Sequence, residues 1–193
     1  MNAISALRYE SNLYQQLRDL PEAQVGEIIN NQLYTQSRPS GFHGVAEGGI
    51  VTDILGAYQR GKGGPGGWWI IPEPEIHLMR DREVLVPDVA GWRKERMPRI
   101  PQGHRFEVVP DWVCEILSPA TASKDRVLKL AVYARYGVPF CWLVDPLLKT
   151  LEVLVLDKEK WRLEGVFQDN DSVNAPPFDA VTLDLAWWWV EDA

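Results

Sequence analysis

At 193 residues with 46% apolar side chains, the chain is long enough to bury a full core, and its length fits one domain spanning residues 1–193. A formal net charge of −7 excludes a protein that grips nucleic acid over its whole surface, so any such contact must come from a local basic cluster. No apolar stretch reaches bilayer length, and Arg8, Glu10, Arg18 and Asp19 punctuate the start, so a cytoplasmic protein without membrane contact is expected.

In chain order, Ser11 to Leu20 reads as a short helix capped by Ser11. Val25 to Ser37 reads as a hairpin turning at Asn30-Asn31, two residues that tolerate the positive φ such turns require. From Gly44 to Tyr58 the apolar residues Val45, Ile50, Val51, Ile54, Leu55 and Tyr58 recur at helical spacing, despite Gly48 and Gly49. The glycine-rich loop at 61–67 lacks the Lys-Ser/Thr ending of a phosphate-binding loop. Three strands follow, at Trp68 to Leu78, Glu83 to Trp92 and Asp111 to Ser118. Ser123 is expected to cap a helix from Lys124 to Tyr136 that Gly137 and Pro139 stop, and Phe140 to Asp145 forms a strand ending at Pro146. Thr150 to Leu156 and Lys160 to Phe167 make a second hairpin around Asp157-Lys158-Glu159. The tail with Trp187, Trp188 and Trp189 carries too much aromatic surface to stay in water, and docks on the body or on a partner chain. The pattern divides into an N-terminal helix and hairpin (1–40), a core (41–146) and C-terminal strands with the tryptophan-rich tail (147–193). Cys114 and Cys141 both lie in apolar runs and read as buried, reduced thiols.

Two carboxylates interrupt this apolar pattern. Asp88 stands within Val84-Leu85-Val86-Pro87-Asp88-Val89-Ala90, and Glu115 within Trp112-Val113-Cys114-Glu115-Ile116-Leu117. A lone ionised group in an apolar layer costs several kcal/mol, so each requires a cation, a metal or a proton. Strand alternation puts Glu115 on one face with Asp111, Val113 and Leu117. On the following helix Asp125, Lys129 and Tyr133 stack at four-residue spacing with Arg126 beside them, while Val127, Leu130, Ala131 and Ala134 line an apolar side. The Lys129 ammonium is thus placed to reach the carboxylates. Hard cations such as Mg²⁺ are held by one or two carboxylates plus water, which makes this set suitable for hydrolysing phosphodiesters.

Lesser candidates surround this set. Glu75 and His77 share a strand face and are read as auxiliary groups, together with Asp125 and Arg126; His43 and Glu47 are one helical turn apart. Asp111 is read as a turn cap, and Trp68, Trp69 and Trp112 as core anchors. The basic run Arg93, Lys94, Arg96 and Arg99 is the candidate nucleic-acid contact.

Pro87-Asp88 with Glu115, 27 residues apart, resembles the motif of the PD-(D/E)XK nuclease superfamily. The resemblance sharpens over Val86-Pro87-Asp88-Val89-Ala90, Pro110 to Pro119, Asp125-Arg126 with Lys129-Leu130 and Tyr133, Tyr136-Gly137-Val138-Pro139, and Trp142 to Pro146. Together with Gly26-Glu27-Ile28-Ile29-Asn30 and Arg38-Pro39, these segments resemble the Uma-two family of restriction-endonuclease-like proteins. The resemblance implies an α/β (α+β mixed) restriction-endonuclease-like core with a mixed central sheet flanked by helices. It also implies Mg²⁺ (or Mn²⁺) bound by Asp88, Glu115 and the Ile116 backbone carbonyl, and DNA as the substrate. One departure stands out: the superfamily lysine two positions after the glutamate is here Leu117, and Lys129 is its replacement. Because cutting a duplex takes two sites, a homodimer is expected. A nuclease fold that binds nucleic acid or protein without chemistry is the alternative. Acid–base hydrolysis of a glycoside ranks last, since it leaves the lysine stripe unexplained.

Overall fold

A computed structural model describes residues 13–191. Residues 13–18 are helical (α1), so the expected cap at Ser11 lies outside the described residues. The first hairpin forms as expected, from β1 (Gln24–Ile29) and β2 (Gln32–Ser37), with Asn30 and Asn31 at φ 51° and 60°. Helix α2 (Gly41–Ile54) begins three residues before the expected start, because the Ser40 hydroxyl accepts from the His43 N–H; it continues as a π-wound turn, Leu55–Gln59.

The next two expected strands are each broken in two. Trp68 to Leu78 becomes β3 (Trp68–Pro72) and β4 (Glu75–Met79), interrupted by Glu73 at φ 42° and by Pro74. Glu83 to Trp92 becomes β5 (Glu83–Leu85) and β6 (Val89–Arg93), interrupted at Pro87, which has no N–H to give a ladder. The breaks carry the chain between two sheets. β3 and β6 pair in a six-stranded sheet, β4 and β5 in a five-stranded one, and the Glu73 N–H donates to the Asp88 carbonyl at 2.8 Å where the crossings meet.

The five-stranded sheet has the order β2-β1-β5-β4-β7, with the short β7 (Arg105–Phe106) parallel to β4. The six-stranded sheet is mixed, in the order β11-β10-β9-β8-β6-β3. Its parallel pair joins β8 (Trp112–Ile116) to β9 (Phe140–Asp145), and the helix between them is the crossover. That helix consists of α3 (Ala122–Lys124), a π-wound turn (Asp125–Lys129) and α4 (Leu130–Tyr136), ended by Gly137 at φ 76°. Ser123 does not cap it: the helix starts at Ala122, two residues before the expected Lys124, after Thr121 in a Ser118–Thr121 turn. The second hairpin, β10 (Thr150–Asp157) and β11 (Lys160–Gln168), turns as expected at Lys158 and Glu159.

The two faces of β8 bury different cores. Trp112, Cys114 and Ile116 pack with α2, Trp142 and Phe178, while Val113 and Leu117 pack with Trp92, Val132 and Tyr133. Cys114 and Cys141 are buried, unpaired thiols. After β12 (Ser172–Val173) and β13 (Leu183–Asp184) the tail closes over the first core. Trp188 is fully buried, with its indole N–H on Asp53, and Trp189 is also buried; Trp187 stays 73% exposed. Among the described residues no helix is long and apolar enough to cross a membrane. Truncating Trp188 to Ala removes this lid and leaves a cavity, so chemical denaturation should show a loss of about 3–5 kcal/mol.

Candidate functional site

The crossover helix buries charged side chains. Val127 is 64% exposed and Ala131 is exposed, while the polar stripe Asp125, Lys129 and Tyr133 is buried, so the Lys129 stripe turns toward the strand as expected. A helix buries charge in this way only if partners meet it. Here the π-wound turn at Asp125–Lys129 aims Lys129 at the gap between the sheets.

The partners come from both sheets. Lys129 Nζ lies 2.7 Å from Glu115 Oε2 on β8 and 2.8 Å from Glu27 Oε1 on β1. Its remaining contact is the Val86 carbonyl at 3.2 Å, in the crossing segment before Pro87. Three donors meet three acceptors. Tyr133 donates to the other oxygen of Glu115 at 2.5 Å. Glu27 also accepts from Lys124 Nζ at 2.5 Å and from the Val86 N–H at 3.0 Å. Glu27 was not among the expected site residues, although it obeys the signal that marked Glu115: an acid inside an apolar run, Val25-Gly26-Glu27-Ile28-Ile29.

These contacts set the charges. Burial alone would raise the Glu27 carboxyl, but Lys129 and Lys124 overcome it and hold its pKa below the ordinary value. Burial also opposes charge on Lys129, yet Glu115 and Glu27 drive its pKa well above the usual lysine range, so it is an ammonium. Glu115 goes the other way. Burial pushes it well above the ordinary carboxylate value, Lys129 works against that, and the acids Asp125, Asp88 and Glu27 reinforce it.

Asp88 lies in the bend between β5 and β6 rather than inside a strand. Its Oδ2 accepts the Ile116 N–H at 2.5 Å, and its Oδ1 is 2.9 Å from His43 Nε2. The proline explains the first contact. Continuing the β6–β8 register of Val89↔Cys114 places Ile116 opposite Pro87, which cannot supply the next ladder donor. Leu117 N–H bonds Val144 across the β9 side, so the Ile116 N–H and C=O both point the opposite way, toward Asp88. Asp88, Glu115, Ile116 and Lys129 all line one cleft of about 760 Å³, with Asp125 and His43. Its walls are β2 with the Arg38 to Ser40 segment on one side and the Ser118 to Lys124 turn on the other.

The auxiliary residues separate. Asp125 is in the cleft, its carboxyl raised by burial against the pull of Lys129. Arg126 points outward and pairs with Glu152. Glu75 and His77 form a different cluster, in which Glu75 Oε1 accepts from Tyr14 at 2.7 Å and lies 2.7 Å from His77 Nε2, while the Asp81 N–H bonds His77 Nδ1. They are absent from the cleft lining, since β4 lies three strands across the five-stranded sheet from β2, the strand that walls the cleft. The basic run is likewise remote. Arg93 ends β6 five residues beyond Asp88, about 16 Å along an extended strand. Arg93 stacks on Trp68, Lys94 lies over Trp69, Arg96 pairs with Asp111 at 2.8 Å, and Arg99 is exposed.

Among the described residues no three His, Cys, Asp or Glu side chains stand together as a ready cage for an ion. The residues present do suit a hard cation that keeps much of its water, since such an ion needs only one or two carboxylates and a carbonyl. Asp88, Glu115 and Ile116 line the same opening.

A family model described as "Uma2: Putative restriction endonuclease" matches residues 12–186. A solved structure from Anabaena variabilis ATCC 29413, described as a "putative nuclease belonging to DUF820", superposes with a TM-score of 0.67. At 23% identity it covers 91% of this chain and 98% of its own, which shows a shared fold. No curated protein matches the chain.

Replacing Glu27 with Ala strands two lysines and should cost about 3–5 kcal/mol in urea unfolding. Because the folded Glu27 pKa is depressed, its contribution is complete above the ordinary glutamate pKa and disappears as pH falls through the depressed value. The stability gap between wild type and Glu27→Gln should therefore narrow in acid.

Proposed function

We propose, for a chain that belongs to the Uma2 restriction-endonuclease family, metal-dependent hydrolysis of phosphodiester bonds in DNA. The observation that carries the reading is the convergence of Asp88, Glu115, the Ile116 peptide and Lys129 on one cleft. Asp88, Glu115 and the Ile116 carbonyl would hold Mg²⁺ or Mn²⁺, whose chemistry is to acidify a bound water and neutralise charge growing on the phosphate.

The protein's own groups divide the remaining work. Lys129 is a fixed positive charge, not a base, since its neighbours keep it protonated. To orient the attacking water it gives up its longest contact, the one to the Val86 carbonyl, and keeps both carboxylates. Tyr133 holds the Glu115 carboxyl in place, and Asp88 is steadied by the Ile116 N–H. Because the acids bind a metal only as carboxylates, protons compete with the cation at this site and metal affinity should rise with pH, by at most about tenfold per unit for one proton.

One observation favours the alternative, a nuclease fold that binds nucleic acid or protein without cutting: both Glu115 oxygens already have donors, in Lys129 and Tyr133. Cleavage of plasmid and branched DNA with Mg²⁺ or Mn²⁺ separates the two. The hydrolase reading expects Asp88→Ala with Glu115→Ala to lose at least about 10²–10³-fold in rate. Equal cutting by wild type and double variant, or no calorimetric affinity for either cation, selects the binding module.

A further inference from the structure

His43 is a buried polar group in the cleft that the proposed chemistry leaves unused. Its side chain is 9% exposed, and α2 holds it by the Ser40 cap at the start of the helix. Nε2 approaches Asp88 Oδ1 to 2.9 Å, yet it makes no hydrogen bond to any described residue, because the contact is close but misaligned. The contact is an ion pair when the ring is protonated, and a neutral ring leaves the Nε2 lone pair for a ligand.

The spacing identifies one. Two ligand atoms at right angles on an ion with bonds of ~2.1 Å lie ~3.0 Å apart. Oδ1 and Nε2 therefore stand at the separation of neighbouring ligands on one octahedral cation. Asp88 Oδ2 is occupied by the Ile116 N–H, which leaves Oδ1 as the oxygen turned to the imidazole. Glu47 and Glu73 add negative charge around the same ring, an environment that attracts a cation.

We infer that His43 is a metal ligand, sharing one divalent ion with Asp88 Oδ1 and the Ile116 carbonyl while water fills the other positions. This rests on the hydrolase reading and alters it in two respects: His43 takes the coordination place given there to Glu115, and an imidazole ligand shifts preference from Mg²⁺ toward Mn²⁺ and Co²⁺. Two side chains, a carbonyl and water form such a site without a third acidic or histidine side chain.

The test is Mn²⁺ binding to the full chain, followed by calorimetry and by pulsed electron paramagnetic resonance, which detects a nitrogen bonded to the ion. Wild type should show one bound Mn²⁺ with nitrogen coupling. His43→Gln, which keeps size and polarity, should lose the coupling and bind Mn²⁺ at least tenfold more weakly, with little change for Mg²⁺. Circular dichroism checks that the variant is folded, and the coupling in wild type is read without any variant. Bound Mn²⁺ without nitrogen coupling, or coupling that survives in His43→Gln, overturns the assignment. An Asp88→Asn arm separates the two readings: if it abolishes binding while His43→Gln does not, the hydrolase site stands without His43. If wild type binds no Mn²⁺, both fall.

Discussion

The ammonium of Lys129, held between Glu27 and Glu115, is the contact on which the architecture depends. Each carboxylate belongs to a different sheet, and the third acceptor, the Val86 carbonyl, lies on the chain that passes from one to the other. Taking these charges out of water costs several kcal/mol apiece, and only mutual pairing with saturated hydrogen bonds offsets it. Such an arrangement is not the cheapest way to fill a core, since apolar residues of similar volume are often as stable. That it lies against a cleft rather than deep in packing is what makes a functional reading reasonable.

Pro87 has a comparable influence through what it lacks. Without an N–H it ends the β6 ladder, sends the chain across to the other sheet and leaves the Ile116 peptide opposite a vacancy in the backbone pattern. Asp88, the next residue, fills half of that vacancy by accepting the Ile116 N–H. One residue pair thus ends a strand and joins two sheets. Glu73 and Pro74 make the matching break on β3–β4, and the two bends are hydrogen-bonded to each other.

Much of this was legible in the sequence where local chemistry decides the outcome. Asn30-Asn31 and Lys158-Glu159 marked both hairpins because few residues accept their backbone angles, and Gly137 marked the helix end for the same reason. Glu115 and Lys129 were legible as a charge misplaced in an apolar strand and a cation within reach. What escaped depends on tertiary structure. The strands around Glu73 and Pro87 read as continuous because their apolar runs are continuous, and the switch of sheets appears only when both layers exist. Glu27 escaped because its partners, Lys124 and Lys129, come from an element about 100 residues further along the chain. The basic run from Arg93 was judged by charge alone, and Trp68, Trp69 and Asp111, which hold it, are distant in sequence or in a neighbouring strand.

The bridge from Lys129 to both sheets also has a kinetic meaning. Peeling the β1–β2 hairpin from the body would leave two lysines without Glu27 in a poorly hydrated space, so partial opening there is nearly as unfavourable as losing the whole structure. The two layers are therefore joined into a single cooperative unit, and Lys124, bonded to both Glu27 and Gln36, ties the two walls of the cleft to its floor.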